Sequence, residues 1–152
     1  MKMSDQLLVF LIDGTRYAIR LQTVERVVNA VEITPLPEGP EIVTGVINVH
    51  GQAIPIVNIR RKFRLRQRAL DLDDHIVIVK GSKWTVAFAV DAVEGVIERK
   101  PDEIIAAGSI LPDLAYTEGV IHIHDDIVFL HDIDKALSFE ELGKIAAVIG
   151  KG

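Results

Sequence analysis

Gly45 to Ile59 reads GVINVHGQAIPIVNI, and 74 residues further on Gly119 to Ile133 reads GVIHIHDDIVFLHDI. The likeness marks an internal repeat, which decides the architecture before any local element is assigned. Working outward, Val24 to Val28 (VERVV) resembles Val93 to Ile97 (VEGVI), 69 residues on. Leu8 to Ile19 (LVFLIDGTRYAI) resembles His75 to Val86 (HIVIVKGSKWTV), 67 on, with Gly14 over Gly81 and Tyr17 over Trp84. The order is kept while the offset grows, so extra residues are expected in loops, chiefly around Lys100 to Tyr116.

Each copy holds period-two apolar segments broken by Gly, Pro, Asp or Asn, the pattern of short antiparallel strands. About five strands per copy are expected. Leu7 to Ile12 and Arg16 to Arg20 flank Asp13-Gly14, a favoured hairpin dipeptide, while Ile76 to Lys80 and Trp84 to Val90 flank Gly81-Ser82. The fold class is therefore mainly β: a tandem duplication forming two small five-stranded barrels within a single domain over 1–152. The first repeat runs from about 7 to 66 and the second from about 75 to 137. Short helical turns are expected after Arg20 and near Arg60, and a helix from about 138 to 150. There Ser138 and Glu141 have capping-box spacing, and Phe139, Leu142, Ile145, Ala146 and Ile149 form an apolar stripe. Such a stripe serves first to dock a helix on the core, and second to bind a partner.

The chain has 152 residues, of which 49% are hydrophobic and 26% charged, enough for a core beneath a wet surface. Its net charge of -5 opposes phosphate backbones, which counts against general nucleic-acid binding. Having no cysteine excludes disulfide scaffolds, thiolate zinc sites and cysteine nucleophiles together, and is compatible with a reducing cytosol. The apolar run Leu7 to Ile12 is stopped by Asp13 without a small-residue cleavage pattern, so no signal peptide is expected. The uncharged stretch Ile42 to Ile59 (interrupted by Asn48, His50, Gln52 and Pro55) reads as two strands and a turn rather than a membrane span.

Catalytic chemistry finds little support. No glycine-rich phosphate loop is present, and Ser4, Ser82, Ser109 and Ser138 lack the context of a nucleophile elbow. His122 and His124 lie two apart on an expected strand and would share a face, with Asp125, Asp126, His131 and Asp132 near them. That set is a candidate zinc site, weighed against histidines making ordinary hydrogen bonds. Asp73-Asp74 and Asp125-Asp126 fall in expected turns, where aspartate satisfies local backbone donors.

Charge is unevenly distributed. Arg60, Arg61, Lys62, Arg64, Arg66 and Arg68 place six cations in nine residues, and the remaining 143 residues hold 11 cations against 22 acids. The plain reading is a solvated connector; the competing ones are attraction to an acidic protein face, anionic lipid or RNA. Phe10, Tyr17, Trp84 and Phe88 alternate within expected strands, as core residues do. Only Phe63 lies inside the basic run, a poor stacking platform for RNA.

From end to end these blocks resemble the CheW family of chemotaxis coupling proteins. LVFLIDGTRYAI is similar to the family's opening hairpin, and ITPLPEGPEIVTGVINVHGQAIPIVNIRRKF to its most recognisable segment. HIVIVKGSKWTVAFAVDAVEGVIERKPDEI and GVIHIHDDIVFLHDIDKAL follow in order. Gly45, Val46, Asn48, Gly51, Pro55, Val57 and Arg60 match its usual anchors. The resemblance implies two intertwined five-stranded barrels of the OB/SH3-like kind, no catalysis and no cofactor. It further implies a cytoplasmic adaptor recruited to membrane-associated receptor arrays, coupling methyl-accepting chemoreceptors to a CheA-type histidine kinase.

The implied partners are the receptor's cytoplasmic hairpin tip, the kinase's related regulatory domain, which pairs with barrel ends, and other CheW-like domains. Neither nucleic acid nor membrane insertion belongs to that role. By motif, Val24, Arg26, Val28, Ile42, Asn48, His50 and Gly51 are the expected partner-binding residues. Three positions depart from the pattern. The family usually has an acid where Arg26 stands, an arginine at His50 and an aspartate at Asn58, which implies either a divergent receptor and kinase set or a member whose coupling is weakened. The alternative function is a duplicated small-barrel nucleic-acid binder using Arg60, Arg61, Lys62, Arg64, Arg66 and Arg68.

Overall fold

Asp13 and Gly14 both adopt positive φ, 51° and 77°, the backbone form that lets a two-residue loop follow the twist of a hairpin, and Ile12 pairs with Thr15 across it. This loop joins the first two of eleven strands in a computed structural model that describes residues 4–29, 33–35, 42–81, 84–109 and 117–136. The strands are β1 (Asp5–Ile12), β2 (Thr15–Arg20), β3 (Val24–Asn29), β4 (Val43–Val49), β5 (Gln52–Val57), β6 (His75–Lys80), β7 (Thr85–Val90), β8 (Ala92–Arg99), β9 (Ile105–Ala106), β10 (Thr117–Ile123) and β11 (Asp126–His131). Two one-turn helices follow β5 and β11: α1 (Ile59–Lys62) and α2 (Ile133–Ala136).

One sheet has the order β8-β1-β2-β11-β10-β9 and the other β3-β6-β7-β5-β4. Each takes its central hairpin from one copy of the repeat and its remaining strands from the other, so the two barrels are intertwined. The sheets are superimposable plans. Ala18 lies opposite Val9 and beside Leu130 in the first, and Ala87 lies opposite Ile78 and beside Ile56 in the second. Val9 faces Gly95 across the first sheet's edge as Ile78 faces Arg26 in the second.

These pairings correct the sequence alignment of the hairpins. Val9 corresponds to Ile78 and Ala18 to Ala87, an offset of 69 and not 67, so Tyr17 matches Val86 and Trp84 matches Thr15. The Gly81 N–H donates to the Trp84 carbonyl at 2.8 Å, where the first copy pairs Ile12 with Thr15. A two-residue slip returns every side chain of a strand to its own face, which is why the apolar pattern did not expose it.

The cores repeat as the strands do. Leu7, Val9, Ala18, Ile121, Val128 and Leu130 fill one barrel, and their counterparts Ile76, Ile78, Ala87, Ile47, Ile54 and Ile56 fill the other. A larger core lies between them, built on Leu8, Phe10, Ile12, Ile19, Val77, Val79 and Phe88 with Ile59 and Ile133 of the two short helices. β1 feeds both, with Leu7 and Val9 on one face and Leu8, Phe10 and Ile12 on the other. That two-sided burial explains why LLVFLI is continuous instead of alternating.

Gly45 and Gly119 mark the same β-bulge in each copy. A Cβ at Gly45 would come within 2.5 Å of the Thr34 carbonyl oxygen, and one at Gly119 within 2.8 Å of that of Ile105. The neighbours are equivalent too: Thr34 bridges Val46 as Ile105 pairs with Val120. The segment around Lys100 to Tyr116, expected as loop, thus contributes β9. The turn after Arg20 is a single 3-10 turn, Leu21–Thr23, and α1 stands near Arg60, both as expected. The sequence reading did not anticipate α2, although it lies 74 residues after α1 and buries Ile133 where α1 buries Ile59. The helix expected over about 138–150 lies outside the described residues.

Candidate functional site

Arg26 sits on β3 just past a register shift against β6, and His50 occupies the left-handed region (φ 50°) at the β4–β5 turn. The turn is held by Asn48, whose Oδ1 accepts the Gly51 N–H at 2.9 Å, while Gly51 itself has φ 82°. The fold brings these two segments together at the end of one barrel. Glu25, Arg26, Val49, His50 and Gln52 surround a depression of about 90 Å³ whose floor is Ile54 and Ile78 of the barrel core. Arg26 and His50 are both exposed there, and the Arg26 side chain makes no hydrogen bond or ion pair among the described residues.

The other expected contact residues are placed differently. Val24 and Ile42 pack their half-buried side chains on the central core, and Val28 packs on the core of the β3–β7 barrel. Asn48 and Gly51 shape the turn. Asn58 caps α1, its Oδ1 accepting the Arg61 N–H at 3.1 Å while its Nδ2 donates to Gln67 at 2.8 Å. Asp132 receives the Lys135 N–H at the matching position before α2. Asparagine and aspartate cap equally well, so the departure at Asn58 preserves the cap and adds a donation to Gln67 that a carboxylate could not make.

Three members of the basic run, Arg60, Arg66 and Arg68, pair with the protein's own acids, although only Arg60 is buried. Arg60, only 6% exposed, donates from Nη1 to Asp13 at 2.8 Å and from Nη2 to Asp91 at 2.6 Å. Arg68 reaches Asp74 at 2.7 Å and Asp91 at 2.5 Å, and Arg66 reaches Asp13 at 3.4 Å. Asp13 in turn donates its N–H to Asp91. The Arg60 hydrogen bond holds the Asp13 carboxyl below its ordinary range. Burial pushes Asp91 up, but the Asp13 N–H and the Arg68 and Arg60 guanidinium groups outweigh it and leave the carboxyl lowered. A groove of unpaired cations, which the RNA-binding alternative requires, is therefore not what Arg60, Arg66 and Arg68 form. No spacing rule in the sequence ties Asp13, Asp91 and Asp74 to this run, because the pairing crosses both copies of the repeat.

The candidate zinc ligands do not converge. His122 is exposed on β10, but His124 lies beyond the strand's end in the turn, with φ 54°. His131 is at the far end of the hairpin. Thr117 faces His131 and Ile127 faces His122, a separation of about 17 Å along the strand. Among the described residues no group of three or more His, Asp or Glu side chains is placed to hold a metal ion. His131 is instead a core residue at the position of Val57, with its ring 5.0 Å from Tyr17 and 4.3 Å from Phe63. Burial lowers it to about 4, and its Nδ1 has no hydrogen-bond partner.

Among the described residues no helix is long and apolar enough to cross a membrane. The arrangement presents a polar-rimmed depression at a stiff barrel end and binds its own charges internally, which suits docking better than bond-making.

A profile of the CheW-like domain family matches residues 6–141. The chain is similar to the chemotaxis protein CheW of Treponema pallidum, 26% identical over 93% of this chain and 86% of the relative. It is also similar to that of Klebsiella aerogenes, 25% identical over 92% and 86%. In structure it resembles the scaffolding protein TtCheW from Thermoanaerobacter tengcongensis, with a TM-score of 0.81, 27% identity, and coverage of 91% of this chain and 96% of that one.

Proposed function

Since the chain belongs to the CheW-like domain family, we propose that it is a non-enzymatic chemotaxis adaptor that couples chemoreceptors to a CheA-type histidine kinase. An adaptor needs a stiff body with separate docking faces. The intertwined sheets supply the stiffness, since neither barrel can tilt without disturbing strands of the other. The barrel end carrying Arg26, His50 and Gly51, together with the segments of Val24, Val28, Ile42 and Asn48, is the face assigned to the receptor tip and the kinase's regulatory domain. The protein then acts in the cytoplasm and is recruited to receptor arrays by these contacts, with other CheW-like domains as further neighbours.

The observation that carries this reading is the co-linear family match across residues 6–141; the depression lined by Arg26 and His50 falls on segments that the resemblance leads one to expect at the contact face. Arg26 and His50 share that depression, so the two departures from the family pattern act on one spot. A partner evolved for an acid at the first and an arginine at the second leaves its own charges unpaired here, at a cost on the order of a few kcal/mol. The double variant Arg26→Glu with His50→Arg should therefore bind a conventional receptor-kinase pair more tightly than the parent. No gain in a pull-down against such a pair would discard that account of the departures. The adaptor reading itself is tested by co-purification with the cognate kinase regulatory domain and receptor tip, and failure with every cognate partner would overturn it.

A further inference from the structure

The two barrel ends are equivalent by register, and among the described residues one is spanned by an ion-pair bridge that the other lacks. In the barrel that holds β1 and β2, Arg16 donates from Nε to Glu94 at 2.6 Å and from Nη1 to Asp126 at 2.8 Å, lacing β2 to β8 and β11. A carboxylate, a guanidinium and a second carboxylate thus close that end. The offsets of 69 and 74 place Glu25 at the position of Glu94, Arg26 at Gly95, Thr85 at Arg16 and Gln52 at Asp126. The β3–β7 barrel therefore has one carboxylate (Glu25), carries its guanidinium on the rim (Arg26) instead of on the strand beside it, and has a neutral amide in place of the second carboxylate.

Arg26 is left without a partner among the described residues, above an apolar floor of Ile54 and Ile78. A guanidinium so placed pairs best with a carboxylate, in charge-assisted bonds strengthened as water leaves the floor. Resting on the adaptor reading above, we propose that the open end of the β3–β7 barrel takes an aspartate or glutamate side chain of the protein partner, which pairs with Arg26 and supplies the carboxylate that Asp126 supplies in the other barrel. His50, on the same rim, supplies a further ring N–H. The internal repeat acts as the control: the same scaffold closes on itself where the acid is built in and remains open where it is not.

Affinity for two probes, the cognate kinase regulatory domain and the cognate receptor tip, tests this with the full chain. Arg26→Gln should weaken binding to one of them roughly tenfold, and Arg26→Glu further, with recovery when one acidic residue of that probe is changed to lysine. Gln52→Asp should plug the end from within, weakening binding about tenfold with Arg26 intact and without lowering the melting temperature. Affinities within twofold of the parent for all three variants, or tighter binding by Arg26→Glu, would overturn the acidic-partner assignment while the adaptor reading stands. A parent chain that binds neither probe would remove both.

Discussion

His131 stands where the repeat puts Val57 in the first copy, and the exchange carries a pH dependence. Burial lowers its pKa to about 4 from the ordinary 6.5, so on acidification the unfolded chain takes up the proton before the folded one does. Stability is therefore complete above about pH 6.5 and falls as pH drops towards 4, by an amount on the order of 3 kcal/mol from this residue. His131→Leu should flatten the fall between pH 7 and pH 5 in chemical denaturation, and an unchanged slope would show that the ring does not carry it. Asp13 and Asp91 act in a lower window, since their lowered carboxyls stabilise above about pH 4 and lose that contribution on further acidification. Gly45→Ala and Gly119→Ala each drive a Cβ onto a backbone carbonyl that cannot swing aside. Each should cost about 1–3 kcal/mol, the usual range for overpacking, read as a lowered midpoint in urea. Histidine spacing alone put His122 and His124 on one face; the register of the hairpin ended the strand at Ile123 and separated them from His131.

The segment from α1 to β6 looks like a cationic connector in the sequence and folds as a clip. Its arginines reach Asp13 at the β1–β2 turn and Asp91 between β7 and β8, so it ties a turn of one copy to a turn of the other. Arg60 is the member whose loss matters most, because its buried guanidinium satisfies two carboxylates and also donates to the Arg66 carbonyl. Arg60→Leu should lower the melting temperature by roughly 5–10 °C, and the exposed Arg64→Leu should leave it within a degree or two. Equal effects of the two would mean that the clip contributes nothing specific. The hairpins show the opposite balance of evidence. Asp13-Gly14 announced β1 and β2 through local turn chemistry, and period-two apolar residues announced the other strands except the two-residue β9, but the two-residue slip between copies was invisible to a pattern with a period of two.

Each sheet draws strands from both halves of the chain, and the largest core lies between the barrels. Residues 1–72 alone would thus lack β6 and β7 for β3 and β5, and would leave β1 and β2 without β8 and β11. Neither that fragment nor 73–152 should show a cooperative thermal transition alone, whereas an equimolar mixture should regain one in circular dichroism. Cooperative folding of either fragment by itself would contradict the exchange of strands. The duplication, the β class and the family resemblance were legible in the chain because local turn residues and alternating hydrophobicity survive in any tertiary setting. The offset of 69, the pairing of Arg60, Arg66 and Arg68 with distant acids, the burial of His131 and the meeting of Arg26 with His50 were decided by long-range strand pairing. Such pairing brings together residues far apart in the chain, and no local preference encodes which of them will meet.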